Sequence, residues 1–149
     1  MKHENQNYTM DELLQMVQEK VQAYRVNRIA SASDVYRLLH RYSTAEKEHF
    51  LLVTLDGSSQ VIEQRIIHIG TLNQSLVHPR EIFRPAIQDN SAGIIIAHNH
   101  PSGTLEASRA DIQITDRLKE VSKLVGIELL DHVIISQQGY YSFSDEGLI

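Results

Sequence analysis

Apolar residues recur along this chain with two different periods, and the change from one to the other outlines its elements. Met10, Leu13, Leu14, Val17, Val21 and Tyr24 fall at helical spacing. Thr9 followed three positions later by Glu12 has the form of a capping box. Together they predict an amphipathic helix over 10–25, after a polar lead of residues 1–8 expected to fray. The apolar stripe of this helix is expected to pack on the same domain rather than on a separate partner. A second helix is predicted through Val35, Leu38, Leu39 and Tyr42, with N-cap choices between Ser31 and Asp34. The period then shortens. Glu48 to Leu55 is a β-rich run, Asp56-Gly57-Ser58-Ser59 a hairpin signal, and Val61 to Ile69 the returning strand, broken by Gly70-Thr71.

His78-Pro79 opens a third helix with proline in its first turn, running through Ile82, Phe83, Ala86 and Ile87. Gly93-Ile94-Ile95-Ile96-Ala97 shows no alternation, which predicts a short strand buried on both faces. Ser108 is placed to cap a fourth helix with Asp111 at its third position and Ile114, Leu118, Val121 and Val125 as its core stripe. Gly126 ends it. Ile127 to Ile135 and Tyr140 to Phe143 read as strands joined by a turn at Gln137-Gln138-Gly139. No repeat, low-complexity tract or linker divides the chain. One globular domain is expected over 31–149, with 1–30 contributing the polar lead and the first helix.

Composition changes this picture in three ways. The 149 residues suffice for one domain that buries roughly two-thirds of its unfolded surface. The absence of cysteine excludes disulfides, thiolate zinc sites and cysteine nucleophiles, so any transition-metal site must use His, Asp, Glu or water. A net charge of −5 disfavours sequence-independent nucleic-acid binding, which relies on many Lys/Arg–phosphate contacts. Arg25, Arg28, Arg37 and Arg41 make only a loose basic group. No stretch approaches the roughly 18 apolar residues of a membrane span, and the polar N-terminus has no signal-peptide core. The expected compartment is the cytoplasm, with no membrane partner.

The candidate chemistry lies after the third strand. In Ala97-His98-Asn99-His100-Pro101-Ser102-Gly103 two histidines one residue apart project to the same side of a strand end, and Pro and Gly then turn the chain. Asp111 follows in the first turn of the next helix, where an acidic residue also complements the helix dipole without any metal. His98, His100 and Asp111 form the ligand set of an open catalytic Zn²⁺ site with a fourth position for water. A carboxylate is then needed to move protons, and Glu48, Glu46, Glu63 and Glu81 are the candidates, Glu48 first. Ser108, three residues before a ligand, can hydrogen-bond a developing oxyanion as well as cap the helix. His3, His40, His49, His68 and His78 have no partner at a telling spacing and read as exposed or structural. Asp131-His132 reads as a buried polar pair supporting the fold, with support of a metal ligand as the lesser alternative.

His98-x-His100-Pro101, Ser108 and Asp111 match the JAMM motif of JAB/MPN metalloproteases. With Val77-His78-Pro79-Arg80-Glu81-Ile82-Phe83, Leu130-Asp131-His132-Val133-Ile134, Gly70-Thr71-Leu72 and Tyr141-Ser142-Phe143, the chain resembles the RadC family over about 33–149. The resemblance implies an α/β (α+β) fold, a mixed curled sheet flanked by helices in the cytidine deaminase-like manner. It also implies zinc on the three named residues, an oxyanion-stabilising Ser108, and a base two positions before a phenylalanine, which selects Glu48 over Glu46. Related JAMM proteins hydrolyse peptide or isopeptide bonds of ubiquitin-like proteins, so a protein or peptide substrate is expected. RadC proteins carry a DNA-repair label, so the alternative is a nucleic-acid-binding or protein adaptor module without catalysis. Thr104 stands where the family usually has Asp, and Ala107 where Pro usually precedes the Ser. The helix-hairpin-helix module of longer RadC proteins is not expected within the first 30 residues.

Overall fold

The computed structural model describes residues 7–25, 27–71 and 77–149; the readings placed on residues 1–6 and on Leu72 lie outside these. Helix α1 spans Met10–Arg25. Its capping box forms as the spacing predicts: the Thr9 N–H donates to Glu12 Oε2 (2.7 Å), and the Glu12 N–H to Thr9 Oγ1 (3.2 Å). Among its described side chains, which do not include Tyr24, the expected packing of the stripe on the domain is not found. Met10 is 71% exposed and Val17 57%, and Leu13, Leu14 and Val21 are exposed as well. The physical reason is that the central strands of the sheet already carry a helical layer on each face.

Helix α2 covers Ala32–Leu38, shorter than the stripe suggested. At Leu39 the backbone leaves the α region (φ −106°, ψ 12°), and His40–Thr44 continues as a 3-10 turn. The Tyr42 N–H donates to the Leu39 carbonyl, the tightening common where a helix ends. Strands β1 (His49–Leu55) and β2 (Val61–Ile69) form the expected hairpin. Helix α3 (Pro79–Gln88) begins at proline, and the His78 ring caps it by accepting the Arg80 N–H at 3.2 Å. Strand β3 runs Gly93–Asn99, helix α4 Arg109–Val125, and strands β4 and β5 cover Glu128–Ser136 and Gly139–Ser142.

The strands form one mixed sheet in the order β2-β1-β3-β4-β5. β1 is antiparallel to both β2 and β3, β3 is parallel to β4 through the α4 crossover, and β5 returns antiparallel to β4. The isoleucines of β3 divide between two cores, as a strand without alternation requires. Ile94 and Ile96 join Phe50 and Leu52 beneath α3 and α4, packed on Phe83 and Leu118. Ile95 joins Leu51, Val53 and Val133 on the other face, beneath Val35 and Leu39 of α2. Each fully buried side chain of this size contributes about 1.5–3 kcal/mol. Because β1 runs against β3, the start of β1 lies beside the end of β3, Phe50 opposite His98. That pairing brings residues from two distant stretches to one end of the sheet. Among the described residues, no helix is long and apolar enough to cross a membrane.

Candidate metal centre

His98 is in the last turn of side chains on β3, on the face that carries Ile96 and Phe50, and it is 1% exposed. His100 lies just beyond the strand, and its N–H is fixed to the Ile135 carbonyl at 3.0 Å. Asp111 is carried by the first turn of α4. The capping box there serves the site as well as the helix: Ser108 Oγ accepts the Asp111 N–H (3.1 Å), and Asp111 Oδ2 accepts the Ser108 N–H (2.8 Å). The carboxylate is thereby aimed at the end of β3. His98 Nε2 lies 3.1 Å from Asp111 Oδ1, His100 Nε2 3.4 Å from Asp111 Oδ2, and the two Nε2 atoms 2.8 Å apart. One donor atom from each of the three side chains falls within 4.8 Å of the others, a group that could hold a metal ion.

The outer nitrogens of both rings are engaged. His100 Nδ1 donates to the Thr104 carbonyl (2.7 Å), a main-chain contact that any residue at 104 supplies, so the departure from the usual Asp leaves it intact. His98 Nδ1 meets His132 Nε2 at 2.8 Å, and His132 Nδ1 meets Thr115 Oγ1 at 2.6 Å. Two Nε2 lone pairs are thus directed at one point beside a carboxylate, and either a proton or a cation relieves their repulsion. The donor set, two imidazoles and one carboxylate, suits zinc.

Electrostatics agree with this arrangement. Burial alone would raise Asp111, but hydrogen bonds from His100 and His98, the charge of His98 and the Ser108 N–H hold it well below the usual carboxylate range. Burial pulls His100 down, yet its bonds to Asp111 and the Thr104 carbonyl, with the charges of Asp111 and Glu48, leave it raised. His132 is driven well below an ordinary histidine by complete burial and by the proximity of His98, so it is neutral at pH 7.

Above these groups opens a groove of about 530 Å³, lined among others by Glu48, His100, Ser108 and Asp111. Glu46, Glu63 and Glu81 are not among its lining residues. Glu48 directly precedes β1, and its carbonyl accepts the Gly70 N–H at 2.8 Å. Asn99, which points away from the two histidines, holds the flanks of Glu48. Its Oδ1 accepts the His49 N–H (2.6 Å) and its Nδ2 donates to the Lys47 carbonyl (2.9 Å).

The pair Asp131-His132 divides between two tasks. Asp131 accepts hydrogen bonds from Ser142 Oγ and from the backbone of His132 and Ser144, which ties β4 to the C-terminal turn. His132 instead meets His98, with its ring stacked on Phe143 at a centroid distance of 4.5 Å. Asp131 thus has the structural role expected for the pair, while the contact of His132 with His98 is the one the lesser alternative requires. Asn99 and Thr115 escaped sequence reading altogether. For Asn99 the usable signal was a polar residue ending an apolar strand; Thr115 left none beyond its place one turn after Asp111.

A family model described as RadC-like JAB domain matches residues 29–148. Among curated relatives the chain is 47% identical over 122 residues to a UPF0758 protein of Rubrobacter xylanophilus, covering 81% of this chain and 53% of that protein. It is 44% identical over 123 residues to a UPF0758 protein of Methanosarcina mazei, covering 82% and 54%. A UPF0758 protein of Geotalea uraniireducens is 43% identical over 125 residues, covering 83% and 55%. The chain spans about half the length of these relatives. With a five-stranded mixed sheet flanked by helices in the JAB/MPN arrangement and the family match running through every strand, this chain belongs to the RadC-like JAB domain family.

Proposed function

We propose that the centre is a zinc-dependent hydrolytic site of the JAMM type that cleaves a peptide or isopeptide bond in a protein or peptide substrate. The observation that carries this reading is the convergence of His98 Nε2, His100 Nε2 and the Asp111 carboxylate beneath a groove that Glu48 and Ser108 also line. His98, His100 and Asp111 would hold the ion. The chemistry that zinc supplies when bound is Lewis acidity, which polarises a carbonyl and makes water a usable nucleophile near neutral pH. Glu48 would take a proton from an attacking water as the water oxygen adds to the carbonyl carbon. The same carboxylic acid then returns the proton to the departing amine nitrogen as the C–N bond breaks. Ser108 donates its hydroxyl proton to the oxyanion, while its lone pair keeps the Asp111 N–H. The products are a carboxylate and an amine. The cytoplasm, expected from a sequence with no membrane-span pattern and no signal-peptide core, is part of this proposal.

Elemental analysis of protein purified without a histidine tag tests the metal. About one equivalent of zinc is expected, lost in His98→Ala; no stoichiometric metal in the unaltered protein overturns the reading. Glu48→Gln should keep the zinc, lose about 10²–10⁴-fold in hydrolysis and retain bound substrate on capture. Tight DNA binding indifferent to both zinc and Glu48→Gln would instead establish the adaptor alternative.

A further inference from the structure

A metal-binding imidazole must present a lone pair at one nitrogen and carry its proton at the other. For His100 a backbone carbonyl settles this directly. For His98 the partner is another imidazole, which by itself could accept or donate, so the question passes along the chain of contacts. Thr115 Oγ1 donates its single proton to the Asp111 main-chain carbonyl at 2.8 Å, the residue one turn earlier on α4. A carbonyl cannot donate, so that direction is fixed. Thr115 Oγ1 can therefore only accept from His132 Nδ1, 2.6 Å away. His132 then has its proton at Nδ1 and its lone pair at Nε2. That lone pair, 2.8 Å from His98 Nδ1, obliges His98 to supply the proton there. Only one polarity satisfies every member, and it leaves the Nε2 lone pair of His98 facing His100 and Asp111.

The whole path is shielded from water: His132 is 0% exposed, His98 and Thr115 1%, and Asp111 2%. No solvent molecule is needed to complete it, and none can readily reverse it. Phe143 stacked on the His132 ring resists the ring flip that would exchange its nitrogens.

We propose that Thr115 and His132 are positioning residues, a directional hydrogen-bond relay that starts at the main chain of Asp111 and locks His98 in its metal-binding tautomer. This rests on the reading of His98 as a zinc ligand. The relay couples two ligands that approach from different elements. The turn of α4 that carries Asp111 also dictates, through β4, how His98 on β3 is protonated. Without the Thr115 hydroxyl, His132 can turn its proton toward His98, and the His98 proton then occupies the coordinating nitrogen.

Thr115→Val keeps the side-chain shape and removes the hydroxyl; Thr115→Ser restores it. Imidazole ¹⁵N chemical shifts of the zinc-free protein read the tautomers directly. Nδ1 of both His98 and His132 should be protonated in the unaltered protein and in Thr115→Ser, and only partly so in Thr115→Val. Zinc affinity, measured by competition with a chromophoric chelator, should weaken about 10–100-fold in Thr115→Val and return to within a few-fold in Thr115→Ser. A merely structural role would lower the melting temperature of the zinc-free variant while leaving tautomers and zinc affinity alone, and that result overturns the proposal. Zinc binding by the unaltered protein with equal affinity in Thr115→Val overturns the relay and leaves the metal reading standing. Failure of the unaltered protein to bind zinc overturns both.

Discussion

Asn99 stands between His98 and His100 and faces the other way, which makes it the residue that joins the candidate metal centre to the flanks of Glu48. Removing its side chain leaves the His49 N–H without its partner and takes from the Lys47 carbonyl one of its two donors, the other being His49 Nδ1 at 2.9 Å. Asn99→Ala should cost about 1–3 kcal/mol in urea unfolding. On the proposed reaction it should lower kcat by up to about 10²-fold, because a carboxylate shifted by an ångström no longer meets its proton. Zinc affinity should change far less, since His98 and His100 keep their own contacts. Equal losses in kcat and zinc affinity would show that Asn99 acts on the ligands instead. At this scale the convergence of His98, His100 and Asp111 was legible in the sequence, because strand parity and a helix cap bring the three together by local rules. Asn99 and Thr115 were not, because their partners lie across the sheet or depend on which hydrogen bond a hydroxyl has already made.

Helix α3 closes on Asp89, a position where a negative charge opposes the helix dipole. Its retention there has a cause in the neighbouring elements. Asp89 Oδ1 accepts from Arg65 of β2 at 2.6 Å, and Oδ2 accepts from Thr54 of β1 at 2.9 Å. The Arg65 hydrogen bond, opposed by burial and aided by Thr54, holds the Asp89 carboxyl below its ordinary value. A lowered folded-state pKa means the contribution is full above the unfolded value near pH 4 and drains away as pH falls through the folded one. Asp89→Asn should therefore destabilise the protein at pH 7, by about 1–3 kcal/mol in urea melts, and by progressively less below about pH 4. A gap that stays constant with pH would rule out this cross-link as its source.

Most elements were legible in the sequence at this scale. The unalternating isoleucines of β3 marked a doubly covered strand, and the Ser108–Asp111 box and Gly126 marked both ends of α4. The early end of α2 was not legible, because the apolar stripe continues through Leu39 and Tyr42 whether the backbone is α or 3-10. The exposure of the α1 stripe was hidden too, since periodicity reports an apolar face and says nothing of what covers it.

For the molecule as a whole, the two cores lie on opposite faces of the sheet and neither draws on the described side chains of α1. A chain beginning at Asn27, which keeps the bond from the Val61 N–H to the Asn27 carbonyl, should melt within a few degrees of the full chain and bind zinc as tightly. A large drop in melting temperature, measured by calorimetry at equal zinc, would mean that α1 contributes to the fold. The strand order itself could not be read from pattern, since it depends on β1 inserting between β2 and β3. One consequence of the site's layout concerns the denatured chain. If His98, His100 and Asp111 hold zinc as proposed, the three fall between positions 98 and 111, so a disordered polypeptide can close around an ion at little entropic cost. Zinc then has affinity for both ends of the folding equilibrium, and it stabilises the native state by less than its native affinity alone would give. What the denatured chelate lacks is His132, more than thirty positions from His98 and brought to it only when β4 pairs with β3. On the proposed reading the difference between a loose grip and a tight one is made by a strand pairing, and a bound metal would report on the completion of the sheet.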